Sequence, residues 1–144
     1  MEELLRSGVI RMIKPNRALA LNALRRAKRD IDTAKTLISN EKFDWSLVVS
    51  YNAMLAAGRA FMFAKGYRPS STEGHLAVVK FLNATLENEM RDRMVMVMNG
   101  MRKKRHRIVY EEMDIVSKSE AEQAVRWAEE FVNTVAEIIR QTET

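Results

Sequence analysis

Apolar residues recur along the chain at spacings of three, four and seven, and no stretch alternates apolar and polar over a strand's length. Leu4, Leu5, Val9, Ile10 and Ile13 predict a short amphipathic helix over about Glu2 to Ile13. Pro15 then opens a second helix, because the first helical turn needs no N–H there. Leu21, Leu24, Ile31, Ala34 and Ile38 carry one apolar stripe to about Ser39, and Asn40 supplies the stop. Phe43, Leu47, Tyr51, Met54, Leu55, Gly58, Phe61 and Met62 share a broad face, predicting a helix to Lys65 with Gly66 as its C-terminal cap.

Ser70 with Glu73 reads as a capping box for a fourth helix, to about Leu86. Glu87-Asn88-Glu89 is a weak break, after which Met90, Met94, Val97, Met101 and Ile108 mark a fifth helix to Glu111. Ser119 with Glu122 forms a second capping box, and from Ala121 to Ile139 the apolar period predicts a last helix to about Arg140. Long helices joined by short loops predict an all-α fold. It is an antiparallel up-and-down bundle of four to five long helices with a short N-terminal helix, forming one domain over residues 1–144.

Composition agrees. Five Gly and two Pro stand against an abundance of Ala, Leu, Met, Glu, Lys and Arg. There is no cysteine, which excludes disulfides, thiolate metal sites and a cysteine nucleophile. The acidic start Met1-Glu2-Glu3 does not resemble a secretory leader, and no uncharged apolar stretch approaches the ~18 residues that span a bilayer. A soluble, cytoplasmic protein without membrane contact is expected.

Charge is uneven. Residues 1–110 carry 21 basic and 10 acidic side chains, whereas residues 111–144 carry three basic and nine acidic. Either the charges neutralise between neighbouring helices, or a basic face awaits an anionic ligand. The basic charge is densest in Arg102-Lys103-Lys104-Arg105-His106-Arg107-Ile108, where five of the six residues flanking His106 are positive. At ~100° per residue, Asn99, Lys103, His106 and Tyr110 fall near one line of the fifth helix, with Arg102 at its edge. Arg105 falls on the apolar side, among Met94, Val97, Met98 and Met101, so its guanidinium must meet a carboxylate or lie at an interface. Phosphate binding is therefore expected of Arg102, Lys103, Arg105, His106 and Asn99, with His106 available as acid or base. The plainer alternative is a solvated helix end whose positive charge suits the helix dipole.

Other features carry less. His75, in the first turn of the fourth helix, reads as a surface or capping residue, and two His without a Glu-x-x-His pair argue against a bound metal. Asp30 is expected to pair with Arg26, and Asp32 with Lys28 or Lys35. Five of the ten methionines lie between Met90 and Met101; they fill the core or, alternatively, form the seam of a homodimer. No P-loop, dinucleotide-binding or hydrolase motif is present.

The run Tyr51-Asn52-Ala53-Met54-Leu55-Ala56-Ala57-Gly58-Arg59-Ala60-Phe61-Met62-Phe63-Ala64-Lys65-Gly66-Tyr67 resembles the "Y-x-A-M-x-x-A-x-x-A-L-L-x-x-K-G-Y" helix of the HEPN superfamily, nucleotide-binding helical domains of higher eukaryotes and prokaryotes. Arg25 to Leu37 is similar to that family's first long helix and Gly74 to Leu82 to its next. The Arg105–Tyr110 segment falls where the family signature sits. The resemblance covers about residues 17–139. It implies a bundle of four to five helices, commonly homodimeric, often partnered with a small nucleotidyltransferase in toxin–antitoxin pairs. Some members are metal-independent endoribonucleases whose motif is Arg, a polar residue, then His after four to six intervening positions. Here Arg105 and the polar position match, but Tyr110 stands where that His would be, and Arg102 to His106 spans only three intervening residues.

The chain is thus expected to be a HEPN-like nucleotide- or RNA-binding domain, non-catalytic or degenerate, needing no cofactor. One alternative is a metal-independent endoribonuclease using Arg105 and His106 with Tyr110. Another is an antitoxin or accessory subunit that binds protein.

Overall fold

The computed structural model describes residues 1–70, 74–86 and 88–141, without the side chains of 88–91. Six helices and two short strands follow in the order α1 (Glu2–Arg6), β1 (Ile10–Met12), α2 (Arg17–Ser39), α3 (Phe43–Lys65), β2 (Tyr67–Pro69), α4 (Gly74–Thr85), α5 (Asn88–Tyr110) and α6 (Lys118–Gln141). The all-α bundle expected from the periodicity is present. Its centre is α3, which packs against α2, α4, α5 and α6. That helix is apolar on most of its circumference, and its buried residues run from Ser46 to Met62. By length and composition α3 would suffice to cross a membrane, yet 72% of the qualifying window is buried inside the bundle. It is a core helix whose apolar surface is taken up by its own neighbours.

The ends of these helices follow local chemistry, with four corrections. The first helix stops at Arg6, not Ile13, because Gly8 adopts a φ of 78° and turns the chain. The released segment pairs antiparallel with β2, Ile10 opposite Pro69 and Met12 opposite Tyr67. These strands are too short for alternation to show. Second, α2 begins at Arg17, and its cap is Asn16, whose side chain accepts the Leu19 N–H at 3.0 Å; Pro15 lies just outside. Third, the last helix is capped two residues early. Ser117 Oγ accepts from Glu120 N, and Glu120 Oε1 accepts from Ser117 N, each at 3.1 Å. Ser117-x-x-Glu120 and Ser119-x-x-Glu122 fit one pattern, and the first wins because the chain turns into the helix there. Fourth, the Ser70 hydroxyl donates to Gly8 O and the Ser70 N–H to Val9 O, so Ser70 extends the strand pair; Glu73 and Glu87 lie outside the described residues. Gly66, with φ 90°, caps α3 as expected.

Two close contacts hold α4 and the α5–α6 turn against α3. Gly58 lies so close to α4 that an added Cβ would overlap Val78 Cγ1, and Val78 is fully buried with nowhere to swing. Asp44, at the start of α3, accepts the N–H groups of Asp114, Ile115 and Val116 at 2.6, 3.1 and 3.0 Å. One carboxylate thereby satisfies three loop donors and clamps the α5–α6 turn to the base of α3. Met94, Met98 and Met101 are buried against the bundle, so core filling is what these methionines do within the chain, while Met96 is exposed; the Met90 side chain lies outside the described residues.

Gly58→Ala is expected to destabilise the fold by about 1–3 kcal/mol through overpacking. The check is a lower urea midpoint at unchanged slope; an unchanged midpoint would mean α3 and α4 stand farther apart. Asp44→Ala, which strands three N–H groups, should likewise cost about 1–3 kcal/mol, and chemical denaturation with faster amide exchange at 114–116 would show it.

Candidate anion-binding site

The site is built by how α5 is pinned. Its buried stripe of Met94, Val97, Met98, Met101 and Ile108 faces the core. Arg93 pairs with Glu130 of α6, and Lys104 Nζ reaches Glu120 Oε2 at 3.3 Å. With the helix so held, its cations divide into two classes. Lys104 and Arg107 are neutralised within the chain, Arg107 by Glu112 at 2.5 Å. Arg102, Lys103 and Arg105 have no ion pair with a carboxylate among the described residues.

Arg102 and Arg105, one turn apart, are half-buried, and the Nε of each is buried without a hydrogen-bond partner. Both lie within electrostatic reach of Tyr51 and His75, as does Arg59. Tyr51 comes from the middle of α3 and is completely buried, with its hydroxyl unpartnered. His75 comes from the first turn of α4 and sets its ring edge-on to Tyr51, centroids 5.6 Å apart at 70°. Arg59 lies one η nitrogen 3.3 Å from where a Cβ of Gly74 would stand, so glycine there leaves the guanidinium its space. Three helices thus deliver three guanidinium groups, one phenol and one imidazole to one region.

The electrostatics reflect burial and the mutual influence of these charges. Burial pushes the Tyr51 hydroxyl up to about 12, against the pull of Arg102, Arg105 and Arg59; it stays protonated and can donate. Burial lowers the His75 pKa, and the charges of Arg105, Arg59 and Arg102 lower it further. Burial also lowers that of Arg59, with Arg26 acting in the same direction. A lowered pKa leaves the His75 imidazole mostly uncharged at pH 7.

The sequence-predicted residues separate. Arg102 and Arg105 enter this cluster. Lys103, His106 and Tyr110 lie on the outer side of α5, exposed, and Asn99 is half-buried. The His106 and Tyr110 rings pack at 4.9 Å, and His106 Nε2 is 4.0 Å from Glu111 Oε1. The expected single polar stripe is thus an outer platform, next to a separate inner pair of arginines. His75 is half-buried against Tyr51 instead of standing at the surface or capping α4, and Tyr51, Arg59 and His75 all lie in the segments that carry the family resemblance. Asp32 does not hold Lys35, whose ammonium reaches Glu129 at 3.1 Å. Asp30 has no ion pair within reach of Arg26 among the described residues; its pKa is raised by burial, against the opposing charges of Arg26 and Arg29. No cluster of potential metal ligands occurs among the described residues.

A lowered His75 pKa has a sign. Below ~6.5 the unfolded chain takes up a proton that the folded chain resists, so stability falls as pH drops through that window. His75→Gln is expected to flatten the loss of stability between pH 7 and pH 5, and NMR titration should place the His75 ring below the ordinary ~6.5. An equally steep loss in the variant would contradict this.

One comparison with known proteins bears on this arrangement. No curated protein matches the chain. The family model described as HEPN domain matches residues 20–139, from the first buried turn of α2 to the end of the α6 stripe. That span includes every residue of the cluster and well over half of the chain, which therefore belongs to the HEPN domain family of nucleotide- and RNA-related helical domains.

Proposed function

We propose that this domain binds the phosphate groups of a nucleotide or RNA at the α3–α4–α5 cluster, without cutting its ligand. The observation that carries the reading is the pair Arg102 and Arg105, half-buried and without carboxylate partners among the described residues, beside an unpartnered buried phenol. Half-burying guanidinium groups beside one another is costly. An anion supplies the missing counter-charge, and the planar guanidinium forks suit phosphate oxygens. Tyr51 donates a hydrogen bond, and His75 gains a proton as the anion arrives. Lys103 adds long-range attraction from the rim, and the His106–Tyr110 pair offers a stacking surface to an unpaired base. Asn99 flanks Lys103 on the same side.

The endoribonuclease alternative asks His106 to work with Arg105. The imidazole lies on the outer side of α5 with Tyr110 and Glu111, whereas Arg105 turns inward. The exposed imidazole and the half-buried guanidinium thus have different surroundings within one copy of the chain, which favours binding over cleavage.

The test compares cations of one helix. Arg105→Ala and Arg102→Ala should each weaken binding of a labelled single-stranded RNA about tenfold or more and reduce the salt dependence by about one charge. Arg107→Ala, whose charge Glu112 already neutralises, should change affinity by less than about twofold. The RNA should stay intact in EDTA. Binding that is indifferent to salt, or equally weakened by all three substitutions, would refute the proposal; cleavage abolished by His106→Ala would restore the nuclease.

A further inference from the structure

A cavity adjoins the cluster and shares Arg59 and His75 with it. It is a groove of about 390 Å³ between α2 and α3, with His75 on its wall. That volume lies within the ~300–1,000 Å³ of small-molecule sites. Residues 40–42 join the two helices, which therefore run antiparallel, and residues equidistant from the turn stand level. By this count Leu19 is level with Phe63 and Asp30 with Asn52, while Arg26 stands within one turn of level with Arg59 and acts on it electrostatically.

The chemistry of the groove is graded along this axis. Leu19 and Phe63 make one end apolar. Arg26 and Arg59 make the middle cationic, and neither has an ion pair among the described residues. Asn22 and Asn52 add side-chain amides that both donate and accept. A simple inorganic anion has no use for the apolar end or for the amide carbonyl oxygens, and an apolar ligand has none for the two guanidinium groups. A ligand that uses all three carries a flat ring with polar edges and a single phosphate.

We propose that this groove seats one nucleoside monophosphate unit, its base against Phe63 and Leu19 and its phosphate between Arg26, Arg59 and His75. Asp30, at the far end, repels a second phosphate there. The next phosphate of a strand must then pass over His75 towards Arg105 and Arg102. His75 is the joint between the two sites, since it lines the groove and also packs on Tyr51. The inference rests on the phosphate-binding reading above, and names a nucleotide unit extruded from single-stranded RNA as what the inner cluster presents.

The experiment titrates the four nucleoside 5′-monophosphates, inorganic phosphate and a short single-stranded RNA into the wild type, Arg26→Ala and Arg105→Ala. Binding is read from amide and side-chain NMR shifts, with circular dichroism confirming the fold. Arg26 is exposed, so its removal leaves the core intact. The monophosphates should bind about tenfold or more tightly than inorganic phosphate and shift the Asn22 and Asn52 side-chain amides. Arg26→Ala should weaken them about tenfold, and Arg105→Ala by no more than about threefold. RNA binding should suffer in both variants. Monophosphates that bind no better than inorganic phosphate, or are indifferent to Arg26→Ala, would overturn the groove assignment, while RNA binding that still depends on Arg105 would leave the phosphate-binding reading standing. RNA binding unchanged by Arg105→Ala would remove that parent reading instead.

Discussion

Positive charge with no carboxylate partner among the described residues is held half out of water where α3, α4 and α5 meet. Arg59, Arg102 and Arg105 lie close enough to act together on Tyr51 and on His75. Like charges brought together in a partly dry site raise the energy of the empty protein. What keeps them there is packing elsewhere. The methionine stripe of α5 is buried, Asp44 clamps the turn that follows it, and Gly58 lets α4 sit close on α3. That packing holds the backbones of α3, α4 and α5 together, and with them the roots of the three arginines. Under the proposed function, an anion binding there would release energy held in the free state, as in any prearranged electrostatic site.

The acidic last helix gives the same idea its contrast. Glu120, Glu129 and Glu130 of α6 neutralise Lys104, Lys35 and Arg93 in turn. The neutralising reading of the charge asymmetry therefore holds on the face that meets α6. Cations that face α6 act as fasteners between helices, and exposed pairs of this kind contribute little each. Cations that face α3 and α4 meet no acid among the described residues and remain available. The bundle sorts its charges by which neighbour each side chain faces, and linear sequence shows only their sum.

Much of the fold was legible because it is local. Helix periodicity located α2, α3, α5 and α6, with Gly66 and Asn40 as their stops. Where local signals were doubled, as with Ser117 and Ser119, or too short, as with the three-residue strands, they failed to decide. The site was legible in part for the same reason. The placing of Arg105 on the apolar side of its helix follows from angle alone and pointed to a guanidinium needing a partner. His75 could not be found that way. Its neighbours come from α3 and α5, so its environment exists only after α4 packs, and a lone histidine near a helix start carries no trace of that. Tyr51 and Arg59 looked like ordinary members of a core helix, and they acquire a role from the residues that other helices bring to them. His106 drew attention as part of the basic run, yet the helix turns it away from Arg105.

The most direct test of the central claim is the melting temperature as a function of inorganic pyrophosphate at constant ionic strength. An anion that binds only the folded state stabilises it in proportion to the logarithm of its concentration. The account predicts a rising melting temperature for the wild type and a flat response when Arg102 and Arg105 are both replaced by alanine, with the ligand-free variant no less stable than the wild type. Equal rises in both proteins, or no rise in either, would contradict it.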